Sequence, residues 1–160
     1  MKGPAPVIAR ADLVAWAASQ RAAGLRIVFT NGCFDVIHRG HVEYLAEAAA
    51  AGDILIVAIN SDASVGELKG PGRPIVEEKD RCAVLSHLRP VAAITIFAEP
   101  TPLQVIELIQ PDVLVKGDEY RESEIVGAEL VRSLGGEVIR IAMREGRSTT
   151  SIIEAIRRLP

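Results

Sequence analysis

The run Ile27-Val28-Phe29-Thr30-Asn31-Gly32-Cys33-Phe34-Asp35-Val36-Ile37-His38-Arg39-Gly40-His41 decides the fold. An apolar stretch passes into a polar loop with a glycine, then into an alanine-rich amphipathic segment opened by two histidines. That order reads as strand, tight loop and helix start. The first amides of a helix have no partner within it, and the helix dipole favours negative charge there. His38 and His41 add donors whose charge changes near neutral pH. Gly40 removes a side chain between them and lets a phosphate approach closely. Such a place suits a triphosphate. Two histidines near a helix start can also be caps or a chance metal pair, but the strand, the glycine and the helix all agree on an anion site. Zinc is not expected. There are only three histidines (His38, His41, His87), and Cys33 and Cys82 lie far apart without Cys-x-x-Cys spacing.

Outward from this stretch, strands and helices alternate. Residues 1–9 carry Gly3, Pro4 and Pro6 and read as a loosely held arm. Residues 12–23 have helical periodicity around Leu13, Trp16, Ala17 and Gln20, stopped at Gly24. Strands are expected at 26–30, 53–60, 91–97, 112–115 and 137–141. Each is mostly apolar, as in a sheet covered on both faces. Helices are expected at 41–51, 78–88, 102–109, 123–134 and 152–159, with Thr101 as N-cap and Pro102 at the first helical position of one. Residues 64–78, with Lys69-Gly70-Pro71-Gly72-Arg73-Pro74 at their centre, read as a mobile loop. They form either a solvated surface or a flap carrying Lys69 and Arg73 over phosphates. Residues 144–147 read as a polar loop. The alternation predicts an α/β, Rossmann-like, parallel five-stranded sheet with right-handed crossovers and helices on both faces.

Bulk properties restrict the function. The 160 residues make one domain, 1–160, long enough for a substantial core. A formal net charge of -3 argues against a nucleic-acid coat. No apolar run approaches a membrane span, and no secretory apolar segment opens the chain. Two cysteines without an evident partner fit a reducing compartment, so a cytoplasmic location is expected.

In a parallel sheet, ligands gather beyond the carboxyl ends of the strands. The polar clusters obey that rule. Asn31-Gly32, Asn60-Ser61-Asp62, Lys116-Gly117-Asp118 and Arg147-Ser148-Thr149-Thr150 each follow a strand. The last is a second helix start with hydroxyls and a nearby cation. Alone it would be an ordinary N-cap; beside the histidine loop it becomes a second phosphate clamp. Gly-x-Ser-x-Gly, a Walker lysine loop and Gly-x-Gly-x-x-Gly are all missing from the sequence, which leaves no nucleophile elbow and no nicotinamide fingerprint. Positioning and electrostatics remain, and they suffice for in-line displacement at phosphorus.

Gly32 to His41, with its His-x-Gly-His ending, resembles the signature of the cytidylyltransferase-like nucleotidyltransferase superfamily, and Ser148-Thr149-Thr150 resembles its second signature. Thr30-Asn31-Gly32, Val57 to Ser64, Leu68-Lys69-Gly70, Arg73-Pro74, Leu114 to Asp118 and Gly135 to Val138 are similar to the heptose 1-phosphate adenylyltransferase group within it. The resemblance covers about residues 25–158. It implies AMP transfer from ATP to D-glycero-D-manno-heptose 1-phosphate with Mg2+, giving ADP-heptose, a lipopolysaccharide precursor, and pyrophosphate. It implies that His38 and His41 stabilise the α-phosphate and the departing pyrophosphate, with Lys69 and Arg81 on the phosphates. Thr30, Asn31, Gly32, Cys33, Phe34 and Gly40 would cradle the nucleotide. Gly117 and Asp118 would meet base and ribose, and Ser148, Thr149 and Thr150 the β- and γ-phosphates. Asp35, Asn60 and Asp62 would lie on the acceptor side, with Asp35 alternatively ordering the loop. A homodimer is implied, and the sugar kinase often joined to this domain would be a separate protein. A CTP-dependent glycerol-3-phosphate cytidylyltransferase shares much of the pattern and is the alternative; a nucleotide-binding module without turnover is a third reading. Cys33 is read as packing rather than as a nucleophile.

Overall fold

The computed structural model describes residues 3–142 and 148–160. Five strands, β1 (Ile27–Gly32), β2 (Ile54–Asn60), β3 (Ala93–Phe97), β4 (Val113–Gly117) and β5 (Glu137–Ile141), form one sheet in the order β3-β2-β1-β4-β5. Every neighbouring pair is parallel. The order turns back on itself at β1, so the crevice between the β1 and β4 ends is the place where connections leave in opposite directions.

The helices are α1 (Leu13–Ala22), α2 (Arg39–Ala49), α3 (Asp62–Lys69), α4 (Glu78–Ser86), α5 (Leu103–Ile109), α6 (Ala128–Ser133) and α7 (Thr149–Arg157). Strand alternation sends successive side chains to opposite faces. Ile27, Phe29 and Leu114 pack with α1, α5 and α6. Val28, Val57 and Val115 pack with α2 and α4. Burying a large apolar side chain on either face stabilises the fold by about 1.5–3 kcal/mol. Gly52 joins α2 to β2 where a Cβ would stand 2.6 Å from Val28 Cγ2 and 2.9 Å from the Arg26 carbonyl. No larger residue fits that approach.

The expected elements are present, with informative differences. The arm is tied down from residue 5. Ala5 N donates to Ser86 O (2.8 Å), Ile8 N to Ile94 O (2.7 Å) and Ile94 N to Pro6 O (2.9 Å). Val7 pairs in parallel with Ile94 at the outer edge of β3. Prolines suggested looseness, but they sit where no donor toward the sheet is needed. The expected mobile loop begins with helix α3. Ser61 Oγ caps it by accepting from Ser64 N, and Gly70 at φ 88° ends it. The expected helix at 123–134 is split by Gly127 at φ 86° into a 3-10 turn, Glu122–Glu124, and the short α6. Pro102, not Thr101, occupies the N-cap of α5, and no side chain bonds there. The polar loop 144–147, Arg147 included, lies outside the described residues.

Candidate active site

Beyond β1 the chain must turn sharply to start α2. Phe34 and Val36 both adopt φ 48°, the left-handed region. Such a conformation costs on the order of 1–3 kcal/mol at a non-glycine residue. Asp35, between them, holds the turn. Its carboxylate accepts from Arg73 Nε (2.7 Å), Ile75 N (2.9 Å) and Val76 N (2.9 Å). Burial pushes its pKa up, but the Ile75 and Val76 amides and the Arg73 guanidinium together hold it below the usual carboxylate value. Its carbonyl accepts from Thr149 Oγ1 at 2.5 Å. The loop after β1 is thereby bonded to the start of α7. Asp35 lines the cleft, but its carboxylate is engaged in ordering the loop.

His38 is the N-cap of α2, and its Nδ1 accepts from Gly40 N at 3.1 Å. In neutral form its proton therefore sits on Nε2. Gly40 is buried beneath, its amide spent on His38, so it is not in the cleft wall. His41, one turn into α2, stacks on His38 with ring centroids 4.0 Å apart and tilts against Phe34 at 5.3 Å. Its Nδ1 is buried without a hydrogen-bond partner among the described residues. Burial and, next, the neighbouring His38 push its pKa down to about 4, against the pull of Asp35. The two stacked rings form the floor of the site.

These residues border a cleft of about 530 Å³. Asn31, Gly32, Cys33, Phe34, Asn60, Lys69, Gly117 and the Ser148–Thr150 start of α7 share its wall. Lys69, at the last turn of α3, is exposed above it. Ser148 Oγ caps α7 by accepting from Ser151 N at 3.1 Å. The Thr149 and Thr150 amides precede the first helical bond, from Ile152 N to Ser148 O. Asn60 donates through Nδ2 to Ser64 Oγ at 3.0 Å. Burial pushes the Cys33 thiol up despite nearby Lys69, Arg81 and Arg73, in keeping with a packing role.

Other expected site residues lie elsewhere. Arg81 is 1% exposed and lies behind the cleft wall rather than in it. Its Nε donates to Val76 O (3.0 Å), Nη1 to Cys33 O (2.6 Å) and Asn60 O (2.8 Å), and Nη2 to Asp62 Oδ1 (2.8 Å). It gathers the loops after β1 and β2 rather than a ligand's phosphates. Asp62 is off the wall too, since Oδ1 also accepts from Glu78 N while Asp62 N donates to Glu78 Oε2, each at 2.8 Å. Thr30 lies under the floor, where its Oγ1 meets Tyr44 Oη at 2.7 Å and Val115 O at 3.1 Å. Asp118 is exposed beyond the rim, its amide bonded to Ile141 O at 2.9 Å.

Sequence reasoning placed Lys116 in a polar cluster after a strand but gave it no role, and it passed over Tyr120. Lys116, 9% exposed, lines the cleft and donates from Nζ to Asn31 Oδ1 at 2.8 Å. The Tyr120 ring covers it at 5.0 Å. Burial lowers its pKa to about 8. Lysine at a strand end is common; the usable signal was the level pairing of β1 with β4, which puts 116 beside 31.

A parallel sheet reversing at β1, two helix starts converging on one cleft and a stacked histidine pair at its floor are the features a nucleotidyltransferase site needs. The cytidylyltransferase-like family model matches residues 29–155, and the chain belongs to that family. It is 56% identical over 139 residues to the bifunctional protein HldE of Azotobacter vinelandii, covering 87% of this chain and 29% of that one. It is 50% identical over 157 residues to HldE of Gluconacetobacter diazotrophicus, covering 98% and 32%. The chain thus spans about a third of these curated relatives. A lipopolysaccharide core biosynthesis protein from Thermoplasma volcanium superposes with a TM-score of 0.66 at 27% identity, over 76% of this chain and all of the other. Pantoate-beta-alanine ligase from Francisella tularensis shares the fold, with a TM-score of 0.59 at 15% identity over 94% of this chain and 77% of its own.

Proposed function

We propose that the protein transfers AMP from ATP to D-glycero-D-manno-heptose 1-phosphate, giving ADP-heptose and pyrophosphate. The observation that carries this reading is the His38–His41 stack, joined through Asp35 and Thr149 to the start of α7. Both anion-binding elements are held in one fixed relation. The α-phosphate rests over the histidines and the β- and γ-phosphates at Ser148, Thr149 and Thr150. An oxygen of the sugar phosphate attacks the α-phosphorus from the side opposite the pyrophosphate. That oxygen–phosphorus bond forms as the bond to the pyrophosphate oxygen breaks. Histidine donors and helix amides stabilise the added charge. Asn31, Gly32, Cys33 and Phe34 border the nucleotide, Gly117 approaches base or ribose, and Lys69 closes on the phosphates. Asn60 faces the acceptor. Similarity to HldE supports heptose as that acceptor.

Mg2+ is proposed to arrive as part of the ATP complex. The Asp35 carboxylate already accepts three hydrogen bonds, and the described residues hold no cluster of three His, Cys, Asp or Glu side chains for a resident ion. Mg2+ commonly binds through substrate phosphates and keeps several waters. A cytoplasmic homodimer completes the proposal. Among the described residues no helix is long and apolar enough to cross a membrane. Light scattering giving a monomer mass would remove the dimer.

The test is pyrophosphate release with Mg2+, crossing ATP and CTP against heptose 1-phosphate and glycerol 3-phosphate. Release confined to ATP with heptose 1-phosphate is expected. Release only with CTP and glycerol 3-phosphate would overturn the substrates while leaving the site, and silence in every arm would overturn the proposed reaction.

A further inference from the structure

Lys116 and the histidine pair lie on opposite sides of the sheet edge. Asn31 continues the alternation of Ile27 and Phe29, and Lys116 that of Leu114, all on the face of α1, α5 and α6. His41 and Tyr44 belong to α2, on the other face, where Tyr44 packs with Val57 and Val115. An ammonium has three donors. Asn31 takes one from Lys116, and Lys116 forms no ion pair among the described residues. Glu119 acts on it through space. A buried cation with donors to spare is unfavourable until an anion meets it.

The proposed reaction joins two anions, a triphosphate and a phosphate ester, and so needs two seats. The histidines and α7 form one. The other cations are poorly placed for the second. Arg73 is committed to Asp35, and Lys69 is exposed to water. We propose that Lys116 receives the phosphate of the acceptor, so that the cleft selects phosphorylated acceptors over the corresponding free polyols. Asn31 positions the ammonium, and the Tyr120 ring shields its apolar side. This inference rests on the transferase reading above.

The experiment is calorimetric titration of the full chain, saturated with a non-hydrolysable ATP analogue, with heptose 1-phosphate and with free heptose. The wild type is expected to bind the phosphate ester at least about tenfold more tightly than the free sugar. Lys116→Met should erase that preference while the analogue still binds as before, and Lys116→Arg should restore part of it. Equal weakening toward both sugars would overturn the inference, since it would mark a contact to hydroxyls or a structural role. If Lys116→Met lost the analogue too, the comparison passes to Lys116→Arg and Asn31→Ala, and an unchanged preference in both would overturn it. A wild type preferring glycerol 3-phosphate would refute the heptose reading alone, because glycerol 3-phosphate against glycerol still tests Lys116. A wild type binding no phosphorylated acceptor would overturn both.

Discussion

His41 is set apart by its surroundings. The imidazole packs against Phe34 and His38, with a buried nitrogen that has no hydrogen-bond partner among the described residues. His38→Ala or His41→Ala should lower kcat by about 10²–10³-fold, the scale of a lost transition-state donor, with an unchanged circular dichroism spectrum. Near-normal turnover in either variant would contradict the assignment. Stability should also register His41. Its pKa is about 4 in the folded chain against an ordinary value of 6.5. Between those values the unfolded chain holds more protons, so stability rises with pH across that window and levels off above it. His41→Asn should flatten that rise in urea midpoints measured across the window; an unaltered slope would assign it to another group. The histidines were legible in sequence because glycine spacing and the preceding strand fixed their setting. Arg81 was not. An arginine early in a helix can face a ligand or a set of carbonyls, and only the fold, which brings Cys33, Asn60, Asp62 and Val76 around it, decides.

The α3–α4 joint shows the same point between elements. Asp62 opens α3 and bonds the first amide of α4, while Glu78 opens α4 and bonds an amide of α3. Each helix caps the other, and Arg81 ties both to the ends of β1 and β2. Arg81→Met should therefore destabilise the chain by about 3 kcal/mol, because it strands buried carbonyls and a carboxylate. Urea denaturation checks this; a loss below about 1 kcal/mol would show the loops to be held by other contacts. Reciprocal capping joins residues 16 positions apart. Local patterning saw glycines and prolines there and read a loop, since the partner of each cap lies outside any helical window.

At the scale of the molecule, alternating apolar runs and amphipathic segments were enough to foresee the parallel sheet. The arm was not foreseeable in the same way. Its bonds run to Ser86 and Ile94, far along the chain, and its own composition points to looseness. Deleting residues 1–9 should cost about 2–4 kcal/mol, at about 1 kcal/mol for each lost hydrogen bond to Ser86, Ile94 and the Thr95 hydroxyl. An unchanged urea midpoint would show that the arm only rests on the sheet.

The arm also decides what the sheet can recruit. The β5 border carries exposed Glu137 and Arg140, charges that discourage another strand from docking. The β3 border, Ala93-Ile94-Thr95-Ile96-Phe97, has no such charge. Stripped of the arm, it would be a bare apolar ribbon, a template for the same ribbon in another copy. The segment that reads as the most dispensable part of the chain thus covers that border, and its loss is expected to show as turbidity that grows with concentration.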